Sequence, residues 1–286
     1  MSLGFPPVYS ISSGSIVRYY EYPSRAKKLL KSQNSLNNLT KAYSKKEMSE
    51  NTRSQLRKRL SVYYDSMFEM GAKWRKDKNI CHPIITLTLP SVQVHSDNEI
   101  KRDCLMRFVE LLKKTWSVRF YYWVAEKQQN KNIHFHILID RFVDHKWIRT
   151  TWNNRLELLG YIDAFEKKHG HRSPNSTDIE MIRNLSKSAD YVTKYTTKLD
   201  QQGGIDGRLH GESDILRSVQ KLREYACHEM DEKIREWIQR ENYRFYEHEH
   251  CVAIYGNIRK VLKEECPKHY KAYQSHCQNI ANLFYN

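Results

Sequence analysis

A chain of 286 residues with 40% apolar content can bury a substantial core, either as one large domain or as a catalytic domain with a smaller appendage. Its 48 Lys+Arg against 33 Asp+Glu leave a net charge of +15, which points to a polyanionic partner or a membrane surface, and 19 Tyr, 9 Phe and 6 Trp add the stacking surfaces that favour nucleic acid. No run of 18 apolar residues occurs and no apolar segment follows a basic start, which excludes a membrane-spanning helix and a secretory leader, so the expectation is a cytoplasmic protein.

Residues 1–43, rich in Ser, Asn, Lys and Tyr, read as a partly flexible N-terminal arm with a loop at Ser32–Asn38. Order is expected from Ser44, whose spacing to Glu47 fits a capping box. The stretch to Trp74 sets Leu56, Leu60, Tyr63, Tyr64, Met67 and Phe68 on one side of a helix. Short β-rich runs then alternate with helices: a strand at Ile84–Leu89 closed by Pro90, a helix capped by Asp97, and strands at Phe120–Glu126 and Ile133–Asp140. Asp144 opens a helix through Trp152 to Gly160, Asp178–Ile182 forms a short strand, and Ser188–Leu199 is helical. Gly203-Gly204 marks a boundary, beyond which 203–286 reads as a mainly helical accessory domain, leaving 44–202 as the catalytic unit. The expected fold class is α+β on a mainly antiparallel sheet.

Two features carry chemistry. Along Ile133–Asp140 the side chains alternate, so Ile133, Phe135, Ile137 and Ile139 form a core face while His134 and His136 stand together on the other. A hairpin centred near Asn130 sets Glu126 opposite His134 on that same face, and two imidazoles with one carboxylate suit a divalent ion such as Mg²⁺ or Mn²⁺. The second feature is Tyr191-Val-Thr-Lys-Tyr195, whose i, i+4 spacing puts both phenols on one helix face about 6 Å apart. Lys187, Lys194 and Lys198 surround them with positive charge that favours phenolate and binds phosphate. A third cluster, His248, His250, Cys251, Cys266 and His269, can supply zinc ligands, but its spacing matches no finger or ribbon, and the six scattered cysteines read as reduced thiols. There is no GxxxxGK[ST] and hence no P-loop ATPase.

The ordered trio of ITLTL at 85–89 with its preceding Ile84, Glu126 with His134-Phe-His136, and YVTKY at 191–195 resembles the HUH endonucleases, most closely the two-tyrosine rolling-circle replication initiators of phages and plasmids. Trp152-Asn153 and Gly207-Arg208-Leu209-His210-Gly211 resemble the family too, the latter with His210 where relatives often carry Trp. The resemblance implies a central antiparallel sheet flanked by helices, with a helical C-terminal extension. It makes Glu126, His134 and His136 the metal ligands, Tyr191 and Tyr195 the nucleophiles, and Lys194 an aid at the phosphate. It further implies origin single-stranded DNA as substrate, a covalent 5′-phosphotyrosine, and a host helicase and polymerase as partners. A two-tyrosine transposase would use the same residues, and a non-catalytic single-stranded DNA-binding protein would need neither the metal site nor the tyrosines.

Overall fold

In the computed structural model, which describes residues 7–20, 48–182, 204–248 and 251–285, the first ordered element comes earlier than the composition implied. Residues 7–20, expected in the flexible arm, form a hairpin: β1 (Pro7–Ser12) and β2 (Ser15–Tyr20) pair antiparallel, with Tyr9, Ile11 and Ile16 buried. The serine-rich composition hid a Ser13-Gly14 turn flanked by alternating apolar residues. Ser32–Asn38 and Ser44 lie outside the described residues.

Helix α1 (Glu50–Glu69) starts at Ser49, whose side chain accepts the Thr52 N–H, and buries Leu56, Leu60, Tyr63, Tyr64 and Met67 as their spacing requires. Phe68, expected on that face, is instead 46% exposed, with the Arg259 guanidinium 4.5 Å from its ring centroid. Gly71, at φ 80°, ends the expected single helix and starts α2 (Gly71–Asp77). After β3 (Pro83–Leu87), the next helix is capped by Ser96 rather than Asp97. Ser96 and Glu99 form a reciprocal capping box, which frees the Asp97 carboxylate to bind Lys127 Nζ at 2.6 Å and Gln93 Nε2 at 2.7 Å. This helix, α3, runs through Asp97–Glu99, a π-helical Ile100–Leu105 and Met106–Trp116.

Strands β4 (Tyr121–Lys127) and β5 (Ile133–Ile139) form the expected hairpin. Helix α4 (His145–Glu157) is capped by Asp144 as read, but Gly160, in the left-handed region, leads into a further helix, α5 (Tyr161–His169). Strand β6 (Thr177–Met181) follows, and Ser188–Leu199 lies outside the described residues. The C-terminal part is helical, with α6 (Asp214–Ser218), α7 (His228–Ile238), α8 (Ile258–Glu265) and α9 (Pro267–Tyr285). It also carries four strands that its charge-rich pattern concealed: β7 (His210–Glu212), β8 (Leu222–Tyr225), β9 (Arg244–His248) and β10 (Cys251–Tyr255).

All pairings are antiparallel. One sheet has the order β6-β3-β5-β4-β7 and the other β8-β1-β2-β10-β9, so two α+β units interleave in sequence. The N-terminal hairpin completes the sheet of the C-terminal part, and β7, beyond the expected boundary, is an edge strand of the first sheet. The first sheet is covered on both faces. Ile133, Phe135, Ile137 and Ile139 join α3 and α4 in one core, while Leu138, Tyr122 and Ile84 on the opposite face pack under α1 and the end of α9. The second sheet packs Tyr9, Ile11, Ile16 and Ile254 against α7, α8 and α9.

Candidate metal centre

The histidine pair sits on the less covered half of the first sheet's second face. Register carries one row of residues across the sheet: Asp178, Thr86, His136, Val124 and His210 stand opposite one another on β6, β3, β5, β4 and β7. One step along, Glu126 faces His134, as the hairpin reading required. Two residues in the other direction lies Leu138, under α1 and α9. The same face thus changes from apolar to polar over a single pleat.

Glu126, His134 and His136 each offer one ligand atom, and these atoms all lie within 4.8 Å of one another. Glu126 Oε2 is 3.2 Å from His134 Nε2 and 3.7 Å from His136 Nε2, so both rings present the same nitrogen to the carboxylate. The site is recessed, with 14% of each imidazole side chain exposed and 10% of the Glu126 side chain. Burial pushes the Glu126 carboxyl up, but hydrogen bonds to His134 and His136 outweigh it and hold the group at about 2, so it is ionised at neutral pH. Glu126 Oε1 and His134 Nδ1 are buried without a hydrogen-bond partner among the described residues. A carboxylate oxygen left unsatisfied beside two imidazole nitrogens fits a cation, and the mixed donor set with room for other oxygens suits Mg²⁺ or Mn²⁺.

Thr86, which the sequence reading passed over, completes the second layer. Its Oγ1 lies 3.0 Å from His136 Nδ1. With Nδ1–H donating to that hydroxyl, Nε2 keeps the lone pair that a metal needs. The signal was present in the alternation of ITLTL, which puts Thr86 on the imidazole face, but strand pairing was needed to set it opposite His136.

The remaining family-like residues serve the frame. The indole N–H of Trp152, fully buried, donates to the Thr88 carbonyl at 2.9 Å, and Asn153 Nδ2 donates to the Pro174 carbonyl at 3.3 Å. Gly211 stands opposite Trp123, and a Cβ there would meet the indole carbons at 2.6 and 2.9 Å, so only glycine admits this close approach. Burial, reinforced by Arg59, Arg208 and Arg217, lowers His210 to about 4 and keeps it neutral. Its neighbour Glu212 is held by Arg59 through two hydrogen bonds of 2.7 and 3.1 Å. Tyr191, Lys194, Tyr195, Lys187 and Lys198 lie outside the described residues.

The zinc reading finds no support among the described residues, where the one cluster of three such ligands is the centre above. His269 faces Glu224 at 2.8 Å and Cys227 at 3.6 Å, whereas Cys251 lies on β10 and Cys266 is buried under the second sheet. His250 is not described. No described helix is long and apolar enough to cross a membrane.

Residues 82–200 match the model of a protein family described as Replication-associated protein ORF2. The matched stretch contains β3, the hairpin with its three clustered ligands, and both tyrosines, and it supports a role in DNA replication. No curated protein and no solved structure is significantly similar to the chain.

Proposed function

We propose that the chain is a metal-dependent endonuclease and strand transferase that nicks single-stranded DNA at an origin and stays joined to the new 5′ end through a tyrosine, so initiating rolling-circle replication in the host cytoplasm. The observation that carries this reading is the convergence of Glu126, His134 and His136 within 4.8 Å, inside the stretch that matches replication-associated proteins. Glu126, ionised and unsatisfied at Oε1, and the two Nε2 atoms would hold Mg²⁺ or Mn²⁺. A bound divalent ion would act as a Lewis acid on the scissile phosphate. Thr86 orients one imidazole for it, and α1 and α9 close the apolar half of the face against water.

Tyr191 or Tyr195 is the proposed nucleophile. Its phenolate oxygen forms a new bond to phosphorus as the bond to O3′ breaks, and the released 3′-hydroxyl, after taking up a proton, is free to prime synthesis. One phosphodiester replaces another of similar energy, so resealing needs no ATP, and the second tyrosine permits a second transfer without release. Lys194 assists at the phosphate, and Lys187 and Lys198 bind the flanking backbone. Helicase and polymerase come from the host.

The test is incubation with labelled single-stranded DNA pools and Mn²⁺, followed by denaturing gels. The wild-type chain is expected to give a covalent protein–DNA band whose adduct maps to Tyr191 or Tyr195. Either single Phe substitution should leave some nicking, and Tyr191→Phe/Tyr195→Phe should leave none at unchanged melting temperature. His134→Ala/His136→Ala should lose cleavage but keep much of its DNA affinity. An adduct on another tyrosine, or robust nicking by the double Phe variant, would overturn the assignment.

A further inference from the structure

The second sheet lies outside the stretch matched by the family model, and its two faces differ in kind. The face toward α7, α8 and α9 carries the core residues Tyr9, Ile11, Ile16 and Ile254 together with Glu224 on β8 and Glu247 on β9. Strand alternation sends the remaining residues to the opposite face, and no Asp or Glu occupies any of its strand positions among the described residues.

That outer face has aromatic and basic edges. On β8, Tyr225 is 75% exposed and Arg223, two residues before it, is also exposed. Across the sheet, Tyr246 of β9 and Tyr255 of β10 are 49% and 40% exposed, their rings 5.6 Å apart edge to face, with exposed Arg244 paired to Tyr255. Between them the row opposite Arg223 and Tyr246 is Ser10, Val17 and Ala253, a low floor of small side chains. At its Ser12–Ser15 end the face is closed by Lys221, whose Nζ lies 3.2 and 3.1 Å from the two hydroxyls, while Asp65 beside it accepts hydrogen bonds from Ser13. Four strand spacings separate the tyrosine edges, about 19 Å, enough for several stacked nucleotides.

We infer that this outer face is a second binding surface for single-stranded nucleic acid, on which bases stack against Tyr225, Tyr246 and Tyr255 while Arg223 and Arg244 contact the phosphates. Charge complementarity chooses the occupant. A chain of net charge +15 that turns two glutamates of one sheet to the helix side and leaves a carboxylate-free, tyrosine-edged face offers what a polyanion with flat bases requires. A sequence-independent grip at this surface would retain the displaced strand while the metal centre acts on the nick site. The surface stands on its own geometry, and only the choice of DNA over RNA rests on the proposed function.

The test uses the full chain with chelator present, so that nothing is cleaved, and measures the affinity for fluorescent oligothymidylate by anisotropy. Each of Tyr225→Ala, Tyr246→Ala and Tyr255→Ala is expected to weaken binding by about tenfold, and the corresponding Phe variants, which keep the ring, to bind as wild type. Arg244→Glu should weaken binding and flatten its salt dependence. These positions are exposed, so melting temperatures should not move, and the Phe variants report binding even where an Ala variant unfolds. Wild-type affinity in the folded triple Ala variant would overturn the inference. So would loss of self-association, seen by sedimentation, in place of loss of DNA affinity, which would make the face an interface between copies. Cleavage of short site-containing oligonucleotides in Mn²⁺ should survive in the triple Ala variant, whereas His134→Ala/His136→Ala should retain oligothymidylate binding. The two readings therefore fail separately.

Discussion

Removing the hydroxyl that orients His136 should weaken the metal centre without touching a ligand. Thr86→Val keeps the volume and β-branching of the side chain, and replaces by a methyl the Oγ1 that lies 3.0 Å from Nδ1. Without that acceptor the ring can turn about its own axis or place its proton on Nε2, the nitrogen 3.7 Å from Glu126 Oε2, and either change removes a lone pair from the centre. Loss of such a partner costs about 10- to 100-fold in metal affinity, or roughly 1.4–2.7 kcal/mol. His134 cannot compensate, because its Nδ1 has no partner among the described residues that could be strengthened in turn. Isothermal titration with Mn²⁺ should therefore show a weaker Kd in Thr86→Val, restoration in Thr86→Ser, and a metal-free melting temperature close to wild type in both. Equal Mn²⁺ affinity in Thr86→Val and wild type, or failure of Ser to restore it, would refute the argument that this hydroxyl positions the ligand.

Gly211→Ala should destabilise the chain by about 1–3 kcal/mol in urea unfolding, since a Cβ at 2.6 Å from an indole carbon must displace the buried Trp123 or pull β7 from the sheet. Arg59→Leu strips the doubly bonded partner from Glu212, whose side chain is 6% exposed, and should cost about 3–5 kcal/mol. Arg59→Leu/Glu212→Leu should recover much of that loss, because the isolated buried charge is then gone. Burial lowers His82 to about 3, so between pH 6.5 and 3 the unfolded chain binds a proton that the folded chain refuses, and stability falls as the pH drops. His210, lowered to about 4, acts in the same direction, while Asp140, raised to about 6, binds its proton more readily when folded and opposes them between pH 6 and 4. Denaturant titrations across pH 4–6 should accordingly show a slope that His82→Gln reduces by about 1.4 kcal/mol per pH unit, and an unchanged slope would contradict the neutral burial of this ring.

The ligand trio was legible because it rests on local rules. Alternation along Ile133–Asp140 and a short polar connector are enough to place Glu126 opposite His134, and the observed register is the expected one. Thr86 needed the partner strand, since nothing local says that β3 lies beside β5 rather than β4. The second sheet was illegible for a stronger reason: β1 and β2 come from the start of the chain and β8, β9 and β10 from its last quarter, so each strand read alone was a short polar run without a neighbour. Composition then misled, as serine at 10–15 and charge beyond 213 stand for loop and helix surface in most contexts, whereas here both lie in strands with one wet face.

What fixes the recess around the metal ligands is a buried polar network two residues away. Tyr63 of α1 lies 2.9 Å from His82 Nε2 and 2.6 Å from the hydroxyl of Tyr285, the last described residue of α9. Asp140, at the end of the imidazole face of β5, accepts the Arg119 N–H at 3.3 Å and hydrogen-bonds Tyr285 as well. Groups so buried must be satisfied together, which allows α1, α9 and β5 few alternative packings, whereas the surrounding Phe120, Leu138 and Phe284 could pack in many. The helices are thereby held over Leu138 and stop short of His136, leaving the imidazoles at the rim of an apolar wall. A phosphate reaching that rim would exchange water for ligands already oriented beside a low-dielectric surface, where each charge contact counts for more than it would on an open sheet.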